Sequence, residues 1–177
     1  MADHSIQMAS LRKLVDRLCE SCHSFELVGL PFAGLSTTVD DILNDKCRSA
    51  ADVAGGIPYH QILYSWRITR NDYRGAASVL LDKIHKLRAA GEGDKLTGED
   101  ALDTPVTRHY LLLINALSCV DPKQAWVFSE VPDVGKEGKR RVVTLTDVRR
   151  AYQEELDRIA AIQNNQFGFE EGDTMEL

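Results

Sequence analysis

LYSWRITRNDYRGAASVLLDKI, residues 63–84, carries two helical periods with a break between them. Before the break, Tyr59, Ile62, Leu63 and Trp66 recur at the spacing of three and four that puts side chains on one helix face. After it, Tyr73, Ala76, Ala77, Leu80, Ile84 and Leu87 keep the same register. Asn71-Asp72 stops the first helix and recaps the second. The result is a helical hairpin, and the paired alanines let another helix approach closely.

The same spacing extends outward in both directions, and alternating strand-like runs are scarce. Upstream, a helix is expected over about 5–24, with Leu11, Leu14, Val15, Leu18, Cys19, Cys22 and Phe25 on its core stripe. A second, about 37–52, opens with Thr37-Thr38-Val39-Asp40-Asp41, a hydroxyl cap with acids behind it. Pro58 suits the first turn of the hairpin's leading helix. Downstream, Thr104 and Pro105 start a fifth helix with Val106, Tyr110, Leu113, Ile114, Leu117 and Val120 inward, and Leu111 and Leu112 on its other side suggest a central position. Asp121-Pro122 reads as the start of a short sixth helix ending near Ser129, and VPDVGKEGKRR as a loop. A seventh, about 145–164, aligns Val148, Tyr152, Leu156 and Ile159. The expected architecture is all-α: an irregular α-solenoid of stacked helical hairpins, about seven helices, forming one domain over 1–164 with an acidic mobile tail over 165–177.

Composition narrows the function classes. The 177 residues include 44% hydrophobic and 27% charged side chains, an ordinary globular balance. A net charge of −6 argues against a broad nucleic-acid footprint, which needs clustered cations to displace counterions. No apolar run approaches the roughly 20 residues a bilayer span needs, and the first residues lack the basic end and apolar stretch of a signal peptide. The four cysteines, unevenly spaced, are expected as free thiols.

Cys19-Glu20-Ser21-Cys22-His23 has the letters of a haem attachment site, a redox pair or half a zinc site. Its place in the last turns of an amphipathic helix fits none of them, and both cysteines are read as small core hydrophobes. Gly93 to Gly98 starts like a phosphate loop, but Glu99-Asp100 stand where Lys and a hydroxyl residue belong. The five histidines have no metal-ligand spacing. No catalytic residue, metal, cofactor or small-molecule substrate is therefore expected. Lys136, Lys139, Arg140 and Arg141 form a short basic cluster, a candidate contact at an otherwise solvated loop. For Trp66 and Trp126, core anchoring is the default reading.

Residues 63–84, together with RHYLLLINALSCVDPKQAWVF at 108–128 and, more weakly, VVTLTDVRRAYQEELDRIAAIQ at 142–163, resemble the C-terminal α-helical region of the large propeller-plus-solenoid nucleoporin family of the nuclear pore's Y-shaped, outer-ring complex. The resemblance spans roughly 60–163. It implies a non-enzymatic scaffold at the nuclear envelope, joining other α-helical scaffold nucleoporins at the hub of the Y in support of nucleocytoplasmic transport and mRNA export. It also implies a fragment, since the propeller is absent. A rival is a tetratricopeptide-like adaptor, suggested by Trp66 to Tyr73 with Ala77, that would hold acidic peptides in a groove lined by Arg67, Arg70 and Arg74; Thr69 and Arg70 depart from that motif. The resemblance supplies no contact residues. From physics, a partner helix is expected beside the seventh and short sixth helices, with Trp126 and Phe128 as anchors, Tyr152, Leu156 and Ile159 shared between core and interface, and the 136–141 loop at the rim.

Overall fold

A computed structural model of the chain describes residues 2–95, 100–129 and 140–170. Among them, the central hairpin is formed by α4 (Tyr59–Thr69) and α5 (Tyr73–Ala89). Asn71 turns the chain with φ of 58°, a left-handed conformation asparagine tolerates better than most residues. Asp72 then caps α5, its side chain accepting the Gly75 N–H at 2.9 Å.

Three helices precede the hairpin: α1 (Ala2–Glu20), α2 (Ser24–Gly29) and α3 (Ser36–Ser49). The single helix expected over 5–24 is thus two. Cys22 adopts φ of 61° and the His23 N–H turns back to the Leu18 carbonyl at 3.0 Å, a helix-ending pattern that apolar periodicity does not register. The expected stripe divides accordingly. Leu11, Val15 and Cys19 are buried, whereas Cys22 is exposed and Phe25 is 87% exposed. The hydroxyl cap expected for α3 is also absent: the helix starts at Ser36 with no side-chain cap bond. Asp40 instead accepts two hydrogen bonds from Arg67 of α4, at 2.9 and 2.7 Å.

After the hairpin, α6 (Pro105–Ser118) starts as expected. The Thr104 and Thr107 hydroxyls accept each other's backbone N–H, with Pro105 in the first turn. Leu111 and Leu112 are exposed, so the helix is covered on one side only. The short sixth helix is corrected: after a turn at Asp121 to Gln124, Trp126–Ser129 is a strand, β1. It pairs antiparallel with β2 (Arg141–Thr144), Trp126 opposite Thr144 and Phe128 opposite Val142. A four-residue aromatic and β-branched run is too short to reveal its period, and here the partner strand decides it. Strand β2 feeds directly into α7 (Leu145–Glu170), capped reciprocally by Thr144 and Asp147. The helix continues past its expected end near 164.

Each helix from α3 onward packs on the next in chain order, with α1 and α2 against α3 and α4. The buried side chains form two clusters. The first, around Val15, Leu27, Leu43, Leu63 and Trp66, joins α1 to α4. The second, around Leu80, Ile84, Leu113, Leu117 and Val148, joins α5, α6, β1 and α7. Helix α5 contributes Val79 to the first and Leu80 to the second, and Tyr64 packs against both. No helix among the described residues is long and apolar enough to cross a membrane.

Candidate protein interface

Alternation along β1 sorts its side chains. Val127 and Ser129 turn inward and are buried, while Trp126 and Phe128 share the outer face, half-buried and 44% exposed. Their rings meet edge to face with centroids 5.1 Å apart. The Arg74 guanidinium, from the first turn of α5, lies over the Trp126 ring at 3.8 Å from its centroid. Across the ladder, Val142 is 47% exposed, so Trp126, Phe128 and Val142 make a short apolar ridge.

Two hollows flank this ridge. One of about 280 Å3 is lined by Asn44, Arg67, Arg74, Ser78, Phe128 and Arg140. Another of about 410 Å3, beside Trp126, is lined by Val120, Pro122, Lys123, Leu145 and Arg149 among others. Arg140 and Arg141 are exposed where β2 begins. Lys136 and Lys139 of the same basic cluster lie outside the described residues.

The other expected interface residues sit elsewhere. Tyr152 is half-buried with its ring 6.3 Å from that of Tyr110 in the second core, Leu156 is half-buried and Ile159 is buried. Between them, Glu155 bonds Arg88 near the end of α5, whereas Trp126 meets Arg74 at its start. At 1.5 Å per residue those two arginines are about 20 Å apart along the helix. The structure therefore brings Trp126, Phe128 and Arg140 together and separates them from Tyr152, Leu156 and Ile159.

Polar groups that sequence reading missed hold the helices in register. Glu155, 2% exposed, accepts from Arg88 at 2.7 Å and Arg158 at 2.8 Å, and Arg158 also meets Asp94. Burial opposes ionisation of Glu155, yet the two guanidiniums hold its carboxyl below the usual range. The signal was present: Glu155 fits the spacing from Tyr152 to Ile159 as well as Leu156 does. Between α4 and α5, His60 Nε2 donates to Asp82 at 2.7 Å, and Lys86 bridges Asp82 to the Cys47 carbonyl. Burial works against the Asp82 charge too, but His60 and Lys86 keep its pKa lowered. Cys47, in the same region, has its thiol pushed up to about 12 by burial, so it stays protonated and is no nucleophile at neutral pH. Cys19 is pushed up to about 11 for the same reason.

The arginines that would line a peptide-adaptor groove are largely occupied. Arg67 bonds Asp40, the Gly75 carbonyl and Ser78, and Arg70 stacks 3.1 Å from the Trp66 ring centroid while donating to the Val28 and Leu30 carbonyls. His23 Nδ1 lies 3.0 Å from Glu26, and Cys19 is buried whereas Cys22 is exposed.

Comparison with known proteins adds identity to this geometry. A family model described as the NUP160/120 middle TPR matches residues 1–119, which run from α1 through α6. The chain is 39% identical over 255 residues to nucleoporin NUP120 of Chaetomium thermophilum, covering 94% of this chain and 20% of that protein. It is 30% identical over 129 residues to the nuclear pore complex protein Nup160 of Homo sapiens, covering 73% and 8%. It is 24% identical over 160 residues to nucleoporin nup120 of Schizosaccharomyces pombe, covering 88% and 14%. The chain thus spans at most a fifth of the length of these relatives.

Proposed function

The chain belongs to the NUP160/120 family of nucleoporins, and from that premise we propose that it is a non-enzymatic scaffold segment of the nuclear pore complex, within the Y-shaped outer-ring coat at the nuclear envelope. The observation that carries this reading is the chain-order stacking of helices over two cores, a geometry that transmits position along its length and leaves a specific flank open. Its partners are other α-helical scaffold nucleoporins, and its contribution to nucleocytoplasmic transport and mRNA export is indirect, through the integrity of the coat.

The hub of the Y is where the resemblance would put the junction. Because the matching family region is the middle one, we seek the docking surface on the flank of the stack, at the β1–β2 hairpin, and not at a terminal helix. Buried apolar area there would supply docking energy at roughly 25 cal/mol per Å2. The test is to immobilise the chain, pass nuclear extract from its source cells over it, and identify retained proteins by mass spectrometry. Recovery of outer-ring scaffold nucleoporins supports the reading. Recovery of chaperone clients or unrelated peptides instead would overturn it in favour of an adaptor.

A further inference from the structure

The hairpin flank inverts the electrostatics of the molecule around it. The chain carries −6 overall, yet the hollow beside Phe128 is lined by Arg67, Arg74 and Arg140. Arg67 is neutralised by Asp40 at 2.7 Å. Arg74 has its guanidinium on the Trp126 ring, and neither it nor Arg140 pairs with a carboxylate among the described residues. The hollow beside Trp126 adds Lys123 and Arg149. Cations thus border both sides of the ridge made by Trp126, Phe128 and Val142, and two of those three side chains are more than two-fifths exposed.

Each half of this arrangement selects for something different. Guanidiniums without a carboxylate partner among the described residues favour an anionic segment, and against a net-negative background they also orient its approach. An exposed benzyl ring beside an exposed valine gains nothing from a purely charged partner and is stabilised by an apolar side chain that removes it from water. Resting on the scaffold reading and naming the partner chemistry of its docking flank, we propose that the β1–β2 hairpin binds an acidic protein segment with an apolar anchor. The anchor lies across Phe128 and Val142, and the carboxylates reach Arg74 and Arg140. Nucleic acid fits less well. Arg74 already occupies one face of Trp126, and Val120, Pro122 and Leu145 line the second hollow with apolar surface that a phosphate backbone would not fill.

The full chain is titrated against a short fluorescein-labelled peptide of Glu and Asp residues around a central Leu-Phe pair, read by anisotropy. Parallel titrations use the same peptide with Ala-Ala at its centre and a labelled oligodeoxythymidine. The parent chain is expected to bind the Leu-Phe peptide with an affinity that falls as salt rises. Arg140→Glu and Phe128→Ser, both at exposed positions that leave the cores intact, are each expected to weaken it about tenfold, and the Ala-Ala peptide to bind correspondingly less. No binding by the parent chain, equal binding by both variants, or tighter binding of the oligodeoxythymidine overturns the proposal. Capture of scaffold nucleoporins by the same preparations separates the two readings. If the variants leave peptide binding unchanged while capture persists, the partner chemistry is wrong and the scaffold role stands; if the parent chain shows neither, both fall.

Discussion

Gly75 shows how a residue in this chain answers to its neighbours before its propensity. It sits in the first turn of α5, where alanine would ordinarily stabilise a helix by up to about 1 kcal/mol. A Cβ there would lie 1.9 Å from Asp72 Oδ2, inside the carboxylate that caps the helix. Gly75→Ala must therefore displace the cap, a loss of about 1 kcal/mol that offsets the propensity gain. Urea denaturation is expected to show a variant no more stable than the parent, and a clear gain would mean the cap contributes nothing. This arrangement was half legible in the sequence, since Asn71-Asp72 announced the cap but not the close approach of Gly75. The left-handed end at Cys22 was illegible because periodicity does not encode a helix stop, and for Glu155 the spacing marked an inward position but not the two guanidiniums that bond it.

Among the elements, α4, α5 and α6 are legible because eleven or more residues of three-and-four spacing leave little ambiguity, whereas the same spacing runs the first helix past its end at Glu20 into α2. The β hairpin is not legible, because Trp126–Ser129 is four residues whose period is fixed by β2 across a separation in sequence. That error also misdirected the site. A helix would have put Trp126 and Phe128 on different faces, whereas the strand aligns them and turns Val127 inward. The difference is measurable. Val127→Asp, which buries an unpaired carboxylate against the second core, is expected to cost about 3 kcal/mol or more. Phe128→Ser, on the open face, is expected to cost under about 1 kcal/mol. Comparable losses from the two substitutions would show that the ribbon does not alternate as described.

On the scale of the whole molecule, a half-buried and a buried carboxylate tie helices together: Asp82 links α5 to α4 through His60, and Glu155 links α7 to α5 through Arg88. Both carboxyls are held below their ordinary values in the fold, so unfolding takes up protons in acid. Their contribution is fully present above the unfolded values of about 4, and it is lost as pH falls through the lower folded values. The melting temperature should begin to decline below about 6.5, where unfolding lets the burial-lowered His85 and His109 take up protons, and fall more steeply below about 5, with Asp82→Asn flattening part of the steeper decline. An unchanged profile in that variant would assign the acid sensitivity to other groups.

The distribution of cysteines gives the two-core architecture an internal reporter. Cys19 and Cys47 are both buried, and both belong to the first core, while Cys22 and Cys119 are exposed and the second core's buried cluster holds no thiol. An aromatic disulfide reagent added to the native chain should therefore modify two cysteines at once and two only when the α1–α4 half opens. If the slow pair reacts at the rate of global unfolding, α5 couples the halves into one cooperative unit; if it reacts faster, the stack breathes one half at a time.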